Sequence, residues 1–213
     1  MLLFATSAYA ADPFIARLGE SSKALTAGDY AKALKIDEKL IKEMLDSLGP
    51  GEDETKWFAV VVAHKALALA GLGREDDAIW YWHVALNIHP GVAGSDMSVF
   101  GAPAAFLQKH PLQMPDLPHA ELQNTTPPKI LRRVPPQYPY AARLAEVSGI
   151  VILQCVIDKN GDVRDIMIKR PLPGTMCYAA MEALRQWKFE PATADGKPID
   201  VLFNLTFNFK LIH

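Results

Sequence analysis

The chain has 213 residues, of which half are hydrophobic and 22% are charged, and its formal net charge is −2 at pH 7. This composition is typical of a globular protein and excludes overall disorder, while the near-neutral charge argues against a strongly basic, nucleic-acid-binding chain. The length allows one large domain or two small ones.

The first residues, MLLFATSAYAADP, resemble the end of a secretory signal peptide. Ala8 and Ala10 form the small-x-small pattern that precedes cleavage, here after Ala10, so we expect residues 1–10 to be a signal-peptide remnant. An ordinary apolar N-terminus is the alternative. The longest apolar stretch is interrupted by His64 and Lys65, so the sequence predicts no membrane-spanning helix.

Residues 11–110 predict a pair of helical repeats. Gly28 and Gly73 each stand five residues before an alanine, Ala33 and Ala78 respectively, which gives a period of 45 residues. Small residues at this spacing allow two antiparallel helices to approach closely. An all-α region built of helical hairpins is therefore expected.

The second repeat carries the fuller pattern, with Trp82, Ala85 and Pro90 following Ala78. This spacing resembles the second helix of a tetratricopeptide (TPR) repeat. In the first repeat, Asp37 stands where the aromatic residue is expected. The resemblance implies protein or peptide binding, although a single pair of repeats is also used as a spacer.

A pair of repeats needs a cap to bury its end. Residues 95–111 are suited to this, because Pro103 is well placed in the first turn of a short helix that ends at Gln108. The neighbouring cluster Trp80, Tyr81 and Trp82 either lines a ligand groove or packs beneath the cap. Residues 111–128 contain five prolines and no sustained hydrophobic period, which predicts an extended linker.

Residues 129–213 predict an α-β-β-α-β domain. Its expected elements are a helix at 140–146, strands at 150–157 and 163–169, a helix at 175–187 and a last strand at 200–211. Gly149 is expected to close the first helix in a left-handed conformation, and Asn160-Gly161 is a strong hairpin signal. The fold class is therefore α+β, with a three-stranded antiparallel sheet covered by helix in the second half.

The last strand alternates cleanly between apolar and polar residues. Its odd positions are apolar, namely Val201, Phe203, Leu205, Phe207, Phe209 and Leu211, and its even positions are polar apart from Leu202. Period-two alternation predicts one buried and one solvated face. A long half-buried strand near the end of the sequence is a candidate sheet edge.

Five motifs occur in order along this half. They are PQYP at 136–139, VIDKNGDV at 156–163, WKFEPA at 187–192, DGKP at 195–198 and FNF at 207–209. Together they resemble the C-terminal domain of the TonB family, over residues 129–211. The resemblance implies a location in the periplasm of a Gram-negative bacterium and a role connected with TonB-dependent transmembrane transport.

The resemblance also implies a binding site. In this family an N-terminal segment of an outer-membrane receptor adds as a strand beside the last strand of the domain. The candidate partner-binding residues are Val201, Phe203, Leu205, Phe207 and Phe209 on that strand. The proline-tyrosine opening segment, Gln137, Tyr138 and Pro139, gives a second set of candidates.

The chain departs from the family's usual organisation, because a TPR-like region stands where a membrane helix and a long spacer are expected. Two alternatives to strand capture therefore stay open. In one, the TPR-like region is the interaction scaffold and the last strand is masked, for example by pairing in a homodimer. In the other, the protein is an energy transducer whose membrane anchor lies outside this sequence.

The chemistry-bearing side chains support binding rather than catalysis. Cys155 and Cys177 are expected in one apolar layer, either as a disulfide or as two buried free thiols. The cysteines and histidines lack the spacing of a metal site, and no catalytic or nucleotide-binding motif is present. We therefore predict no enzyme activity, no metal and no cofactor.

Overall fold

A computed structural model describes residues 13–47, 51–120 and 125–211 of the chain. The predicted signal-peptide remnant, residues 1–10, lies outside these described residues. The chain divides into two compact units, with the division after Pro111. Within the described residues, no helix combines the length and the apolar character that a membrane span requires.

The first unit is built of two helical hairpins. They comprise α1 (Pro13–Thr26), α2 (Tyr30–Ser47), α3 (Glu52–Gly71) and α4 (Glu75–Ile88), followed by 3₁₀ turns at Pro90–Gly94 and Ser98–Phe100 and by α5 (Ala102–Gln108). Each helix packs on the next along the chain. The all-α character predicted for this region is confirmed.

Both hairpins turn in the same way at the predicted glycines. Gly28 and Gly73 adopt φ values of 77° and 73°, which glycine accepts without strain. In each turn the amide of the residue after the glycine donates to a carbonyl of the preceding helix. The Asp29 amide donates to the carbonyl of Ala24 (2.9 Å), and the Arg74 amide donates to the carbonyl of Leu69 (3.0 Å). This is the bonding pattern of a helix that ends on a left-handed glycine. The repeated register is therefore present in the structure, while its likeness to TPR repeats stays a prediction.

The core of the first unit surrounds α3, whose residues 58–69 are all buried. The α5 helix packs on α3, and Pro103 lies in the first turn of α5 as predicted. Trp80, Tyr81 and Trp82 are all buried, and the Lys65 ammonium lies 3.7 Å from the centre of the Tyr81 ring. The structure therefore favours the packing interpretation of this aromatic cluster over a ligand groove.

The second unit contains one main sheet and smaller ribbons. Its helices are α6 (Tyr140–Leu144) and α7 (Gly174–Arg185); its strands are β1 (Thr125–Thr126), β2 (Lys129–Arg132), β3 (Gly149–Ile157), β4 (Val163–Arg170), β5 (Lys188–Glu190), β6 (Ala192–Ala194), β7 (Lys197–Ile199) and β8 (Val201–Phe209). The main sheet has the order β4-β3-β8 and is antiparallel throughout, with α7 packed on β3 and β4. The predicted α+β class and helix-covered three-stranded sheet are confirmed.

Some boundaries differ from those predicted. The first helix of this unit ends at Leu144, and Glu146 rather than Gly149 takes the left-handed conformation that closes it (φ 53°). The amide of Val147 bonds back to the carbonyl of Ala142, which satisfies the helix end three residues before the predicted position. Gly149 begins β3 instead, and β8 is shorter than the predicted 200–211 strand.

The segment predicted as a linker also differs. The second unit begins at Leu112, and residues 118–120 bond by their main chain to Leu202 of β8. Thr125 and Thr126 form a short strand that pairs with β6. The segment was predicted as a linker because its prolines leave no hydrophobic period. An extended, proline-containing segment can nevertheless form main-chain hydrogen bonds to a strand at single positions.

Candidate functional site

The main sheet has two edges, β4 and β8, and they differ in regularity. The pairing of β4 with β3 shifts register twice, and Asp165 of β4 has a strained φ of 44°. Arg164 forms ion pairs with Asp165 (2.9 Å) and Asp200 (2.6 Å) beside this strand. Irregular, charged edges resist the addition of another strand. The β4 edge is therefore a poor template.

The β8 edge is long and regular. Nine consecutive residue pairs join β8 to β3, from Val201 opposite Ile157 to Phe209 opposite Gly149, with no shift of register. Such a strand presents evenly spaced main-chain groups on its outer side. It is the better template for strand addition.

The hydrogen bonds of Leu202 show which main-chain groups face outward. Its amide donates to the carbonyl of Pro118 (2.9 Å), and its carbonyl accepts from the amide of Ala120 (3.1 Å), so both groups point away from β3. In an antiparallel pair, alternate residues share this direction. The amides and carbonyls of Asn204, Thr206 and Asn208 therefore face the outer side as well. No described residue forms a main-chain hydrogen bond to the outward groups of these three.

The five predicted residues of the last strand lie on its inner face. Val201, Leu205, Phe207 and Phe209 are buried, and Phe203 is half-buried. The ring centre of Trp187 lies 5.3 Å from that of Phe207, and the indole nitrogen donates to the carbonyl of Val134 (2.7 Å). These side chains pack into the core and hold the strand in place, and their contact with a partner stays a prediction.

The outward-facing residues were missed because the prediction followed the apolar face. Asn204, Thr206 and Asn208 are exposed, and they carry the open main-chain groups. The signal was present in the sequence, since these are the polar positions of the same alternation. Alternation alone, however, does not show which residues point their amides toward β3.

The opening segment meets the C-terminal end of β8. The Tyr138 ring packs edge-on against Phe209, with 5.4 Å between ring centres, and its hydroxyl donates to the carbonyl of Val147. Gln137 is exposed, whereas Pro139 is buried. The structure thus brings Tyr138 to the C-terminal end of the candidate edge, and Gln137 next to it in the chain is exposed.

The two cysteines are free thiols, and each sulfur has its own partner. The Cys155 thiol faces the carbonyl of Phe203 (3.7 Å), and the Cys177 thiol donates to the carbonyl of Leu172 (3.0 Å). Burial raises the pKa of Cys155 to about 12 and that of Cys177 to about 11. Both thiols therefore stay protonated at neutral pH and are poor nucleophiles.

A buried polar cluster lies in the first unit. The Ser21 hydroxyl is 3.2 Å from Nδ1 of His64, and Asp37 is fully buried near Ser21. Burial raises the pKa of Asp37 to about 8, although Ser21 and Lys65 lower it in part, and burial lowers the pKa of His64 to about 4. The three residue types suggest nucleophilic chemistry, but all three side chains are enclosed in the helical core. A substrate has no access to them there.

The chain is similar to known proteins over part of its length. The family model described as the Gram-negative bacterial TonB protein C-terminal matches residues 134–211. Protein TonB of Vibrio cholerae is 30% identical over 110 residues, which cover 47% of this chain and 45% of that protein. Protein TonB of Xanthomonas campestris pv. campestris is 37% identical over 78 residues, which cover 36% of this chain and 35% of that protein. The chain therefore spans less than half the length of these relatives.

A solved structure is also similar to part of the chain. The solution NMR structure of the Pseudomonas aeruginosa TonB CTD is 26% identical, and the match covers 46% of this chain and 96% of that chain with a TM-score of 0.36.

Proposed function

Because the family model of the Gram-negative bacterial TonB protein C-terminal matches residues 134–211, we propose that the chain binds an extended segment of an outer-membrane partner by β-strand addition along β8. Binding takes place in the periplasm and serves TonB-dependent transport. The role is one of recognition, with no catalytic step. The first unit acts as a helical module that is covalently joined to this binding domain.

One observation carries the proposal. The β8 strand pairs with β3 over nine residues without a bulge, and the outward main-chain groups of Asn204, Thr206 and Asn208 pair with no described residue. Unpaired amides and carbonyls on a regular strand are a template for another chain. The other edge of the sheet is interrupted, so the preference for β8 follows from the geometry of the sheet.

The alternative in which a groove of the first unit holds the partner is less favoured. Residues 58–69 of α3 are all buried, so this stretch of the helix offers no surface to a peptide. A homodimer that pairs two β8 edges stays a second candidate, because the same open groups would serve a second copy. Sedimentation across a range of protein concentrations separates the two, since only the homodimer changes mass with concentration.

The test is an NMR titration of the full chain with peptides copied from the periplasmic N-terminal segments of outer-membrane receptors. We expect saturable amide shifts at Asn204, Thr206 and Asn208, and small shifts on the helices of the first unit. The control peptides carry N-methyl groups at alternate residues, which remove main-chain donors and leave the side chains unchanged. Equal binding of the methylated and unmethylated peptides, or shifts confined to the first unit, would overturn the proposal.

A further inference from the structure

The β8 edge is closed at its first position by the chain itself. Residues 118–120 lie parallel to β8, with His119 beside Leu202. Both outward groups of Leu202 are bonded, to Pro118 and to Ala120, at 2.9 and 3.1 Å. Ala120 is only 2% exposed, so this end of the segment is packed into the unit, whereas Pro118 and His119 are exposed.

We propose that residues 118–120 are an intramolecular strand that restricts the incoming strand to the part of β8 from Asn204 to Asn208. This inference rests on the proposed function and adds the register of binding to it. An added strand cannot pair with Leu202 unless residues 118–120 leave. The outward amide of Leu202 already donates to Pro118, and its outward carbonyl already accepts from Ala120. The segment therefore sets the limit of the site.

The restriction defines the class of segment that fits. Asn204 to Asn208 span five residues, or roughly 17 Å of strand at ~3.3 Å per residue, so the site takes about five residues of an extended chain. On one face of β8 an added strand lies beside exposed Asn204, Thr206 and Asn208; on the other it lies beside the buried row that includes Leu205 and Phe207. Side chains opposite each other on one face make favourable pairs when they share polarity. The partner is therefore a short segment that alternates polar and apolar residues.

The test compares the wild-type chain with Ala120→Pro, which removes the amide that donates to Leu202. The matched control is His119→Ala, because His119 is exposed and its replacement leaves both main-chain bonds in place. The probe is a synthetic eight-residue peptide that alternates valine and threonine and is flanked by lysines for solubility. Ala120→Gly, which loosens the segment and keeps the amide, is used if Ala120→Pro does not fold.

In the wild-type chain we expect probe-induced amide shifts from Asn204 to Asn208 and none at Leu202, whose amide is protected from hydrogen exchange. In Ala120→Pro we expect the shifts to extend to Leu202, because one more strand position becomes available. We also expect the probe to bind about fivefold more tightly, because one main-chain hydrogen bond changes a binding constant by about that factor. His119→Ala behaves as the wild type.

The outcomes separate the two proposals. If the probe shifts Leu202 in the wild-type chain, or if Ala120→Pro binds with the wild-type footprint and affinity, residues 118–120 do not limit the site and strand addition itself stands. If neither chain binds the probe or any receptor-derived peptide, strand addition fails, and the inference about its register fails with it.

Discussion

At the residue scale, the turn between β3 and β4 depends on Gly161 for two separate reasons. Its φ is 77°, in the left-handed region, and a Cβ atom at this position would overlap the carbonyl oxygen of Phe189. The Gly161 carbonyl also accepts from the amide of Phe189 (3.0 Å), which joins the turn to β5. The glycine of the VIDKNGDV motif is therefore required in part by its close approach to Phe189, a residue far along the chain.

This double requirement gives a prediction with a matched control. We expect Gly161→Ala to lower the free energy of unfolding of the second unit by about 3 kcal/mol, from left-handed strain together with backbone overlap. Gly196→Ala has the same strain at φ 75° and nothing within 4 Å of the added Cβ, so about 1 kcal/mol is expected. Urea titration with the hydrogen exchange of the β3 amides as the reporter measures both. Equal losses in the two variants would contradict the role assigned to the Phe189 carbonyl.

Asp37 and His64 make the stability of the first unit depend on pH. The folded pKa of Asp37 is about 8 against 3.8 when unfolded, so folding is increasingly disfavoured as pH rises from 3.8 to 8. The folded pKa of His64 is about 4 against 6.5, so folding is disfavoured as pH falls from 6.5 to 4. The two effects oppose each other below pH 6.5, and above it only that of Asp37 remains.

We therefore expect the first unit to lose about 2 kcal/mol of stability between pH 6.5 and pH 8, at roughly 1.4 kcal/mol per pH unit. Asp37→Asn should abolish this loss and be more stable than the wild type at pH 8. Asp46→Asn, on the exposed side of the same helix, is the control and should keep the loss. Urea titrations followed by far-UV circular dichroism at several pH values measure the effect. A wild-type chain whose stability is flat between pH 6.5 and pH 8 would show that Asp37 is not held protonated.

At the scale of elements, β8 combines two roles on alternate residues. Its odd residues build the aromatic core, where the Phe189 and Phe203 ring centres lie 6.1 Å apart. Its even residues from Asn204 to Asn208 are exposed and carry the open outward main-chain groups. Because side chains and main-chain groups both alternate with period two, the strand can be buried on its inner face and open on its outer edge.

This division predicts the effect of a single proline. Thr206→Pro removes an outward amide and leaves the bonds between β8 and β3 intact, as is tolerated on edge strands. We expect at least about tenfold weaker binding of receptor-derived peptides, because both a donor and close approach are lost. Thr206→Val keeps the amide and should bind within about twofold of the wild type. Unchanged binding by a folded Thr206→Pro variant would show that the partner does not use this edge.

At the scale of the whole molecule, the two units are distinguished by their thiols. The chain has two cysteines, and both lie in the second unit, so thiol labelling reports the opening of that unit. Burial keeps each pKa well above neutral, and each sulfur is enclosed. Labelling of the folded chain should therefore require unfolding of the second unit.

We expect negligible labelling of the folded chain at pH 8 and two labels per chain in urea without reductant. Gly161→Ala should speed labelling, whereas Asp37→Asn should leave it unchanged, because Asp37 lies in the first unit. Mass spectrometry of the alkylated protein gives the count. An unreduced, unfolded chain that takes up no label would establish the disulfide between Cys155 and Cys177 instead.

The sequence by itself determined the order of α6, β3, β4, α7 and β8, the two glycine turns of the helical hairpins, the hairpin at Gly161 and the inner face of β8. These features follow from local physical rules, since positive φ values and period-two burial are visible in neighbouring residues. The sequence did not indicate the short strands β1, β2, β5, β6 and β7. The motifs also indicated the resemblance of the second half to the family whose model matches residues 134–211.

Only the tertiary structure decided which groups of β8 are open. The bonds of Leu202 to Pro118 and Ala120 join residues more than eighty positions apart, and no local pattern in a proline-rich segment indicates such pairing. The pKa of Asp37 was likewise decided by the tertiary structure. The sequence showed that Asp37 stands where the repeat expects an aromatic residue, but its raised pKa arises from burial by other helices. Edge occupancy and desolvation depend on which distant segments pack together, so they appear only when the chain is folded.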